Sequence, residues 1–328
     1  MKSPGALNPD LQNLRLVASQ KAKQSLKMQA PSGPERGRNP GCENVFSTPG
    51  GARSNHITFF TIIGGDQPPT RTLEQPETSF MQFGKLTLKH CRYGWMLFTG
   101  RHIGKCFELY GEFSESEVSM MRNFVRPGDT AIDVGANIGD LTLPLSRMVG
   151  DGGRIVAVEP NPEFFNVLCG NLALNQISNT MPVNKFIRSD ENAEAGDAFA
   201  ASVFQPGSIR LDDFNLESCR LIKIDVDGQE LNVIKSGQGL ISDCRPVIYF
   251  ENDVKERSHD LLDYMLKLDY ELYWHKAPIF STDNFFGNPD NFWTGENVIS
   301  IMILGVPAEW KLSLGGLEKI SDPNVWWQ

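Results

Sequence analysis

The sequence predicts an α/β fold: one mostly parallel sheet flanked by helices and closed by an antiparallel pair, behind a low-order N-terminal extension. Three observations predict it. From residue 130 to 268, short apolar runs alternate with amphipathic stretches of about 10–15 residues, the pattern of right-handed βαβ crossovers. Gly-, Pro- and Asn-containing turns separate these runs. The last two apolar runs, 270–274 and 297–306, have only a loop between them, and strands joined without a crossover helix pair antiparallel.

Composition bounds the rest. The chain has 328 residues, 40% hydrophobic and 22% charged, which is ordinary globular usage. Its net charge is −9, unevenly spread: residues 1–40 carry seven basic and two acidic residues, a net +5 that leaves −14 on the remainder. That acidic remainder argues against nucleic acid as the main partner, because phosphates need basic patches. No apolar run approaches the ~20 residues of a membrane span, and no compact apolar segment near the start reads as a secretory signal. The six cysteines include no C-x-x-C pair, which reads as reduced thiols in a cytoplasmic protein. Oligomeric state is not legible.

Residues 1–75 read as a basic, then Gly/Pro-rich extension, with a targeting peptide as the alternative. Residues 76–112 read as a β segment with strands at 80–88, 95–98 and 107–110. The sheet domain spans 113–306, with a tail at 307–328. Ser114-Glu115-Ser116-Glu117 reads as a capping box, followed by the apolar helix side of Val118, Met121, Phe124 and Val125. Strands follow at 130–134, 155–158, 183–187, 221–225 and 246–250. Helices are expected at 137–149, 162–175, 229–241 and 258–268. Pro144 conflicts with the first of these. Inside a helix it removes a hydrogen bond at a cost of ~3 kcal/mol, so the helix kinks or begins later.

Ligands of open α/β sheets sit beyond the carboxyl ends of the strands. The first core strand ends in Asp133-Val134-Gly135-Ala136-Asn137-Ile138-Gly139. The glycines permit a tight turn and close backbone approach, and Asn137 is placed to cap the next helix. The next strand ends at Glu159, 20 residues after Gly139, where a carboxylate can accept from both hydroxyls of a ribose. The loop lacks one glycine of the dinucleotide fingerprint and has no P-loop Lys. Asp133, Asp140, Glu159, Asp225, Asp227 and Glu251 would repel a pyrophosphate. They suit a nucleoside bearing an ammonium and a sulfonium, which is S-adenosylmethionine. Attraction between unit charges 4 Å apart is ~4 kcal/mol at an effective dielectric of 20, enough to decide between the two cofactor types.

Asp133–Gly139 (DVGANIG), Glu159-Pro160, residues 221–230 (LIKIDVDGQE), Arg245-Pro246 and Phe250-Glu251-Asn252-Asp253 together resemble the FkbM family of S-adenosylmethionine-dependent methyltransferases. The resemblance covers roughly residues 85–306, including Glu108–Glu117 (ELYGEFSESE) and Trp274–Phe286, and implies a class I, Rossmann-like, seven-stranded sheet with a final antiparallel hairpin. It implies methyl transfer to a hydroxyl of a small acceptor such as a sugar or polyketide. It also implies that Asp133, Gly135, Ala136, Asn137 and Gly139 surround the methionine part of the cofactor. By the same resemblance Glu159 holds the ribose, and Asp190, after Ser189, reaches the adenine amine.

Transfer to a hydroxyl needs a proton acceptor. The candidates are Asp225 and Glu251, at strand ends, and His275, the first choice because histidine is the natural base at neutral pH. Asp225, Asp227, Glu251 and Asp253 are hard oxygen donors, but their spacing is no dedicated metal motif and no metal is assigned. The aromatic loop 276–296 reads as a lid over the sheet edge, or as packing against the preceding helix. The alternative functions are a non-catalytic cofactor-binding relative and a nicotinamide-dependent oxidoreductase.

Overall fold

The computed structural model describes residues 81–100, 103–189, 207–293, 298–312 and 314–327. The extension at 1–75 and Asp190 lie outside the described residues.

The described chain opens with a three-stranded antiparallel sheet: β1 (Met81–Phe83), β2 (Leu86–Cys91) and β3 (Gly94–Thr99). Helices α1 (Ile103–Tyr110) and α2 (Glu115–Arg122) follow. The strand expected at 107–110 is therefore helical. Cys106, Phe107 and Tyr110 are all buried at helical spacing, and local β propensity yields to that packing.

The main sheet is built from β4 (Thr130–Val134), β5 (Arg154–Val158), β6 (Thr180–Val183), β9 (Leu221–Ile224), β10 (Val247–Glu251), β11 (Tyr270–Pro278), β12 (Ile299–Pro307) and β13 (Glu318–Ile320). Its order is β6-β5-β4-β9-β10-β12-β11-β13. The first five strands in that order are parallel, and β12 pairs antiparallel with both β10 and β11. The sheet has eight strands rather than seven. Part of the tail at 307–328 forms β13, which pairs Ile320 with Leu272 and covers the β11 edge. Between β6 and β9, β7 (Phe186–Ile187) and β8 (Ser208–Ile209) form a separate parallel pair. The strand expected at 183–187 thus divides between β6 and β7.

Crossovers run through α3 (Thr142–Val149), α4 (Pro162–Leu174), α5 (Glu230–Lys235), α6 (Gln238–Cys244) and α7 (Lys255–Lys267). The helix α3 begins at Thr142, not 137, which settles the Pro144 conflict. Pro144 stands in the first turn, where backbone N–H groups have no intrahelical acceptor to lose. The helix expected at 229–241 is two. Leu211 N–H donates to Ser236 Oγ at 3.2 Å, and Asp212 Oδ1 accepts from Leu240 N–H at 2.9 Å, so the 211–212 turn wedges between α5 and α6 and caps the second.

Each sheet face has its own core. Ala131, Ala157, Leu221, Val247 and Tyr249 pack with Met96, Phe107, Met121, Leu145 and Leu168. Ile132, Val156, Ile222, Ile248 and Phe250 pack with Val233, Ile241, Leu261 and Met265 on the other side. Two asparagines one turn apart, Asn171 on α4 and Asn175 at its C-terminal cap, bind β3 like a neighbouring strand. Asn171 Oδ1 accepts from Leu97 N–H at 2.6 Å, and Asn175 Oδ1 accepts from Trp95 N–H at 2.9 Å.

Candidate active site

The strand order reverses at β4: β5 lies on one side and β9 on the other, so the loops leaving β4 diverge from those leaving β9. A crevice results at the carboxyl edge. Gly135 has φ 80°, and a Cβ there would lie 1.9 Å from the Asp225 carbonyl oxygen. Only glycine lets the β4 and β9 loops approach this closely. Gly139, at φ 94°, packs directly on Leu143 and Leu168, so the turn lies flat on the first helices.

Glu159 ties the β4 and β5 loops together. Its Oε2 accepts from Asn137 N–H at 2.9 Å and its Oε1 from Asn161 N–H at 2.7 Å. Asn137 does not cap a helix as its sequence position suggests. The helix starts five residues later, and Asn137 instead turns through φ 48° to present its N–H to Glu159. Burial pushes the Glu159 carboxyl up to about 7, against the opposing pull of those two amides.

Lys223, from the middle of β9, is the buried cation of the crevice. Its Nζ stands 3.3 Å from Asp133 Oδ1 and 3.8 Å from Asp225 Oδ2, and donates to the Gly135 carbonyl at 3.1 Å. Burial works against its charge, but Asp133, Asp225, Asp140 and Glu117 hold it protonated above its ordinary value. The other Asp133 oxygen accepts from Thr142 Oγ1 at 2.6 Å. Asp140 is buried with no hydrogen-bond partner for Oδ1 among the described residues, and burial pushes it up to about 8.

Asp225 and Glu251 are brought together on adjacent strands. Burial, then repulsion from Asp225 and Asp253, pushes Glu251 up to about 10, so it keeps its proton at neutral pH and donates it towards Asp225. The Asp225 side chain is 40% exposed, which makes it the open member of the pair. The Asp225-Val226-Asp227-Gly228 turn is closed from within: Glu230 Oε1 accepts from Val226 N–H at 3.2 Å and Gly228 N–H at 3.0 Å.

His275 is level with Glu251, through the register Glu251–Met302–His275. Both ring nitrogens are engaged: Nδ1 lies 2.7 Å from Tyr249 Oη and Nε2 lies 3.3 Å from Ser116 Oγ. Burial lowers its pKa, so the ring is neutral at pH 7. Ser189, before Asp190, is buried with no partner for Oγ among the described residues. The aromatic loop docks on α1, not on the helix preceding it. Phe280 and Phe292 pack on Tyr110 with ring centroids 5.0 and 6.5 Å away, and Phe285 N–H donates to Glu112 at 2.7 Å.

Sequence reasoning passed over three members of this site. Lys223 was hidden inside an apolar strand, Glu117 looked like a helix cap, and Asp140 was read only as one more negative charge. The signal for the first was present, since a lysine flanked by isoleucines in a central strand must be paired to be buried. Among the described residues, no three His, Cys, Asp or Glu side chains group as a metal site.

A parallel sheet that reverses at its central strand, with this glycine turn, the acid after the next strand and a terminal antiparallel pair, has the class I S-adenosylmethionine-dependent methyltransferase fold. Residues 133–272 match the model of the methyltransferase FkbM domain. Among curated proteins it is 28% identical over 92 residues to the catalytic subunit of a tRNA (adenine(58)-N(1))-methyltransferase of Yarrowia lipolytica. It is 42% identical over 43 residues to a ubiquinone/menaquinone biosynthesis C-methyltransferase of Teredinibacter turnerae. These matches cover 28% and 13% of the chain, and only 24% and 17% of the relatives' own lengths. Among solved structures, methyltransferase FkbM from Methylobacillus flagellatus is similar at 18% identity and a TM-score of 0.37, over 58% of this chain and 50% of that one. Aeropyrum pernix fibrillarin with bound S-adenosyl-L-methionine is similar at 13% identity and a TM-score of 0.38, over 70% and 98%. No helix among the described residues is long and apolar enough to cross a membrane.

Proposed function

We propose that the chain transfers a methyl group from S-adenosylmethionine to a hydroxyl oxygen of a small acceptor, such as a sugar or polyketide, in the cytoplasm. One observation carries the reading. At the point where the strand order reverses, Gly135 brings the β4 and β9 loops into contact around a set of acids with one buried cation, Lys223. Such a set favours a positively charged donor and disfavours a pyrophosphate.

The residues present fit that cofactor. Each Glu159 oxygen carries one amide bond and keeps a further acceptor site, which suits the two hydroxyls of a ribose. The unpartnered Oδ1 of Asp140 suits an ammonium. When bound, the cofactor supplies an electrophilic methyl on a sulfonium. The protein's share is to align the acceptor and to take its proton, and alignment alone contributes ~7–11 kcal/mol.

Asp225 takes that proton, because it is the exposed carboxylate at the end of β9 and Glu251 already holds one. His275, with both nitrogens engaged, acts through Ser116 and Tyr249 to fix α2 over β10. The net −14 outside residues 1–40 supports a small acceptor over a nucleic acid. The described cysteines, all free thiols, support a reducing compartment.

The test is incubation with methyl-labelled S-adenosylmethionine and cell extract, followed by mass identification of the product. A labelled methyl ether of a small metabolite is expected. Label on nitrogen, carbon or RNA would overturn the hydroxyl assignment. Cofactor binding without any transfer would favour a non-catalytic relative.

A further inference from the structure

Glu117 lies outside the residues matched by the family model, on the helix whose Ser116 touches His275 at the carboxyl edge. Helix α2 carries Ser116 and Glu117 side by side. Ser116 contacts His275, while Glu117 is coupled electrostatically to Asp225 and Lys223. Glu117 is 2% exposed. Its Oε1 accepts from Ser114 Oγ at 2.6 Å. This serine does not cap the helix backbone, because at φ 45° its hydroxyl turns to the carboxylate instead. Ser300 on β12 also approaches the carboxyl and favours its charged form. Even so, Oε2 is buried and makes no hydrogen bond among the described residues.

A buried carboxylate oxygen that makes no hydrogen bond is costly. Lys223, the cation coupled to it, is committed to Asp133, Asp225 and Gly135. A bound group that brings its own N–H or O–H would satisfy Oε2. Burial pushes the Glu117 carboxyl up to about 6, so it is mostly ionised at neutral pH and would accept strongly.

We infer that Glu117 is a ligand-binding residue whose Oε2 accepts a hydrogen bond from an ammonium or hydroxyl group bound at the carboxyl edge. The inference rests on the methyltransferase reading. Two ligands could supply the donor: the amino-acid end of the cofactor, or the hydroxyl acceptor.

Glu117→Gln keeps an acceptor for Ser114 and replaces the charged oxygen with an amide. Three measurements on the full chain separate the outcomes. Affinities for S-adenosylhomocysteine and for 5′-methylthioadenosine, which lacks the amino-acid end, are measured by calorimetry. Label transfer to an extract is measured at saturating S-adenosylmethionine. A tenfold or greater loss for S-adenosylhomocysteine, with methylthioadenosine unchanged, assigns Glu117 to the ammonium. Unchanged affinity for both with at least tenfold slower transfer assigns it to the acceptor hydroxyl. Equal losses for both nucleosides mean that the substitution acts on the fold, and overturn the inference. Unchanged binding and unchanged transfer overturn it and leave the methyltransferase reading intact. If the unaltered chain binds neither nucleoside, that reading falls and this one with it.

Discussion

Lys223 Nζ stands 3.3 Å from Asp133 Oδ1, with the side chains 2% and 1% exposed. This pair joins the central strand to its neighbour beneath the crevice, and it is the electrostatic keystone of the site. Breaking such a pair from one side strands a buried charge, at about 3–5 kcal/mol. Lys223→Met should lower unfolding stability by that amount in urea. Adding Asp133→Asn should recover part of the loss, as expected for coupled neighbours. Additive losses would show that the two do not act as a pair.

Asp140 sets a pH dependence. Its folded pKa of about 8 lies above the ordinary 3.8, so the folded chain holds this proton more tightly than the unfolded one. The resulting stability is full below the ordinary value and is lost as pH rises towards 8. Asp140→Asn should remove this slope. The variant should be more stable than the parent at pH 8.5 by on the order of a few kcal/mol, with the gap closing towards pH 4. Thermal melts across that range check it, and parallel curves would contradict it.

The two roles assigned at the carboxyl edge separate kinetically. Asp225→Asn should slow label transfer about 100-fold or more at saturating cofactor, the scale of general base catalysis, while S-adenosylhomocysteine still binds. His275→Ala should also spare binding and lower turnover, but less. If His275→Ala proved the more damaging in transfer, the base would be the histidine.

Asn171 is buried and holds β3 by side chain alone: its Oδ1 accepts from Leu97 N–H, and its Nδ2 donates to the Leu97 and Ile138 carbonyls at 3.0 and 2.8 Å. Asn171→Ala leaves buried backbone groups unpaired, at about 1–3 kcal/mol each. Hydrogen exchange should show faster opening of β3 than of β4. Unchanged protection at Leu97 would mean that the bond is dispensable.

The alternating core was legible because each buried strand is a continuous apolar run bounded by turns, and the antiparallel ending followed from the absence of a crossover helix. The placement of Asp133, Gly135, Glu159, Asp225 and Glu251 at the carboxyl edge was legible because each ends or follows an apolar strand run. What escaped depends on partners remote in sequence. Residues 107–110 are helical because of what they bury, and the break at Gly237 follows from Leu211 and Asp212 packing into it. The engagement of His275 by Tyr249 and Ser116 spans three separate elements that no local pattern connects. The edge strand β13 is only three residues long, too short for periodicity to register.

The most direct measurement is calorimetric titration of the full chain with S-adenosylhomocysteine and, separately, with NAD, repeated on Glu159→Ala. One S-adenosylhomocysteine site per chain is expected, with no NAD binding. The Glu159 variant should lose more than about tenfold in affinity, roughly 1.4 kcal/mol. NAD binding without S-adenosylhomocysteine binding, or an affinity untouched by the loss of Glu159, would contradict a phosphate-free cationic nucleoside at this edge.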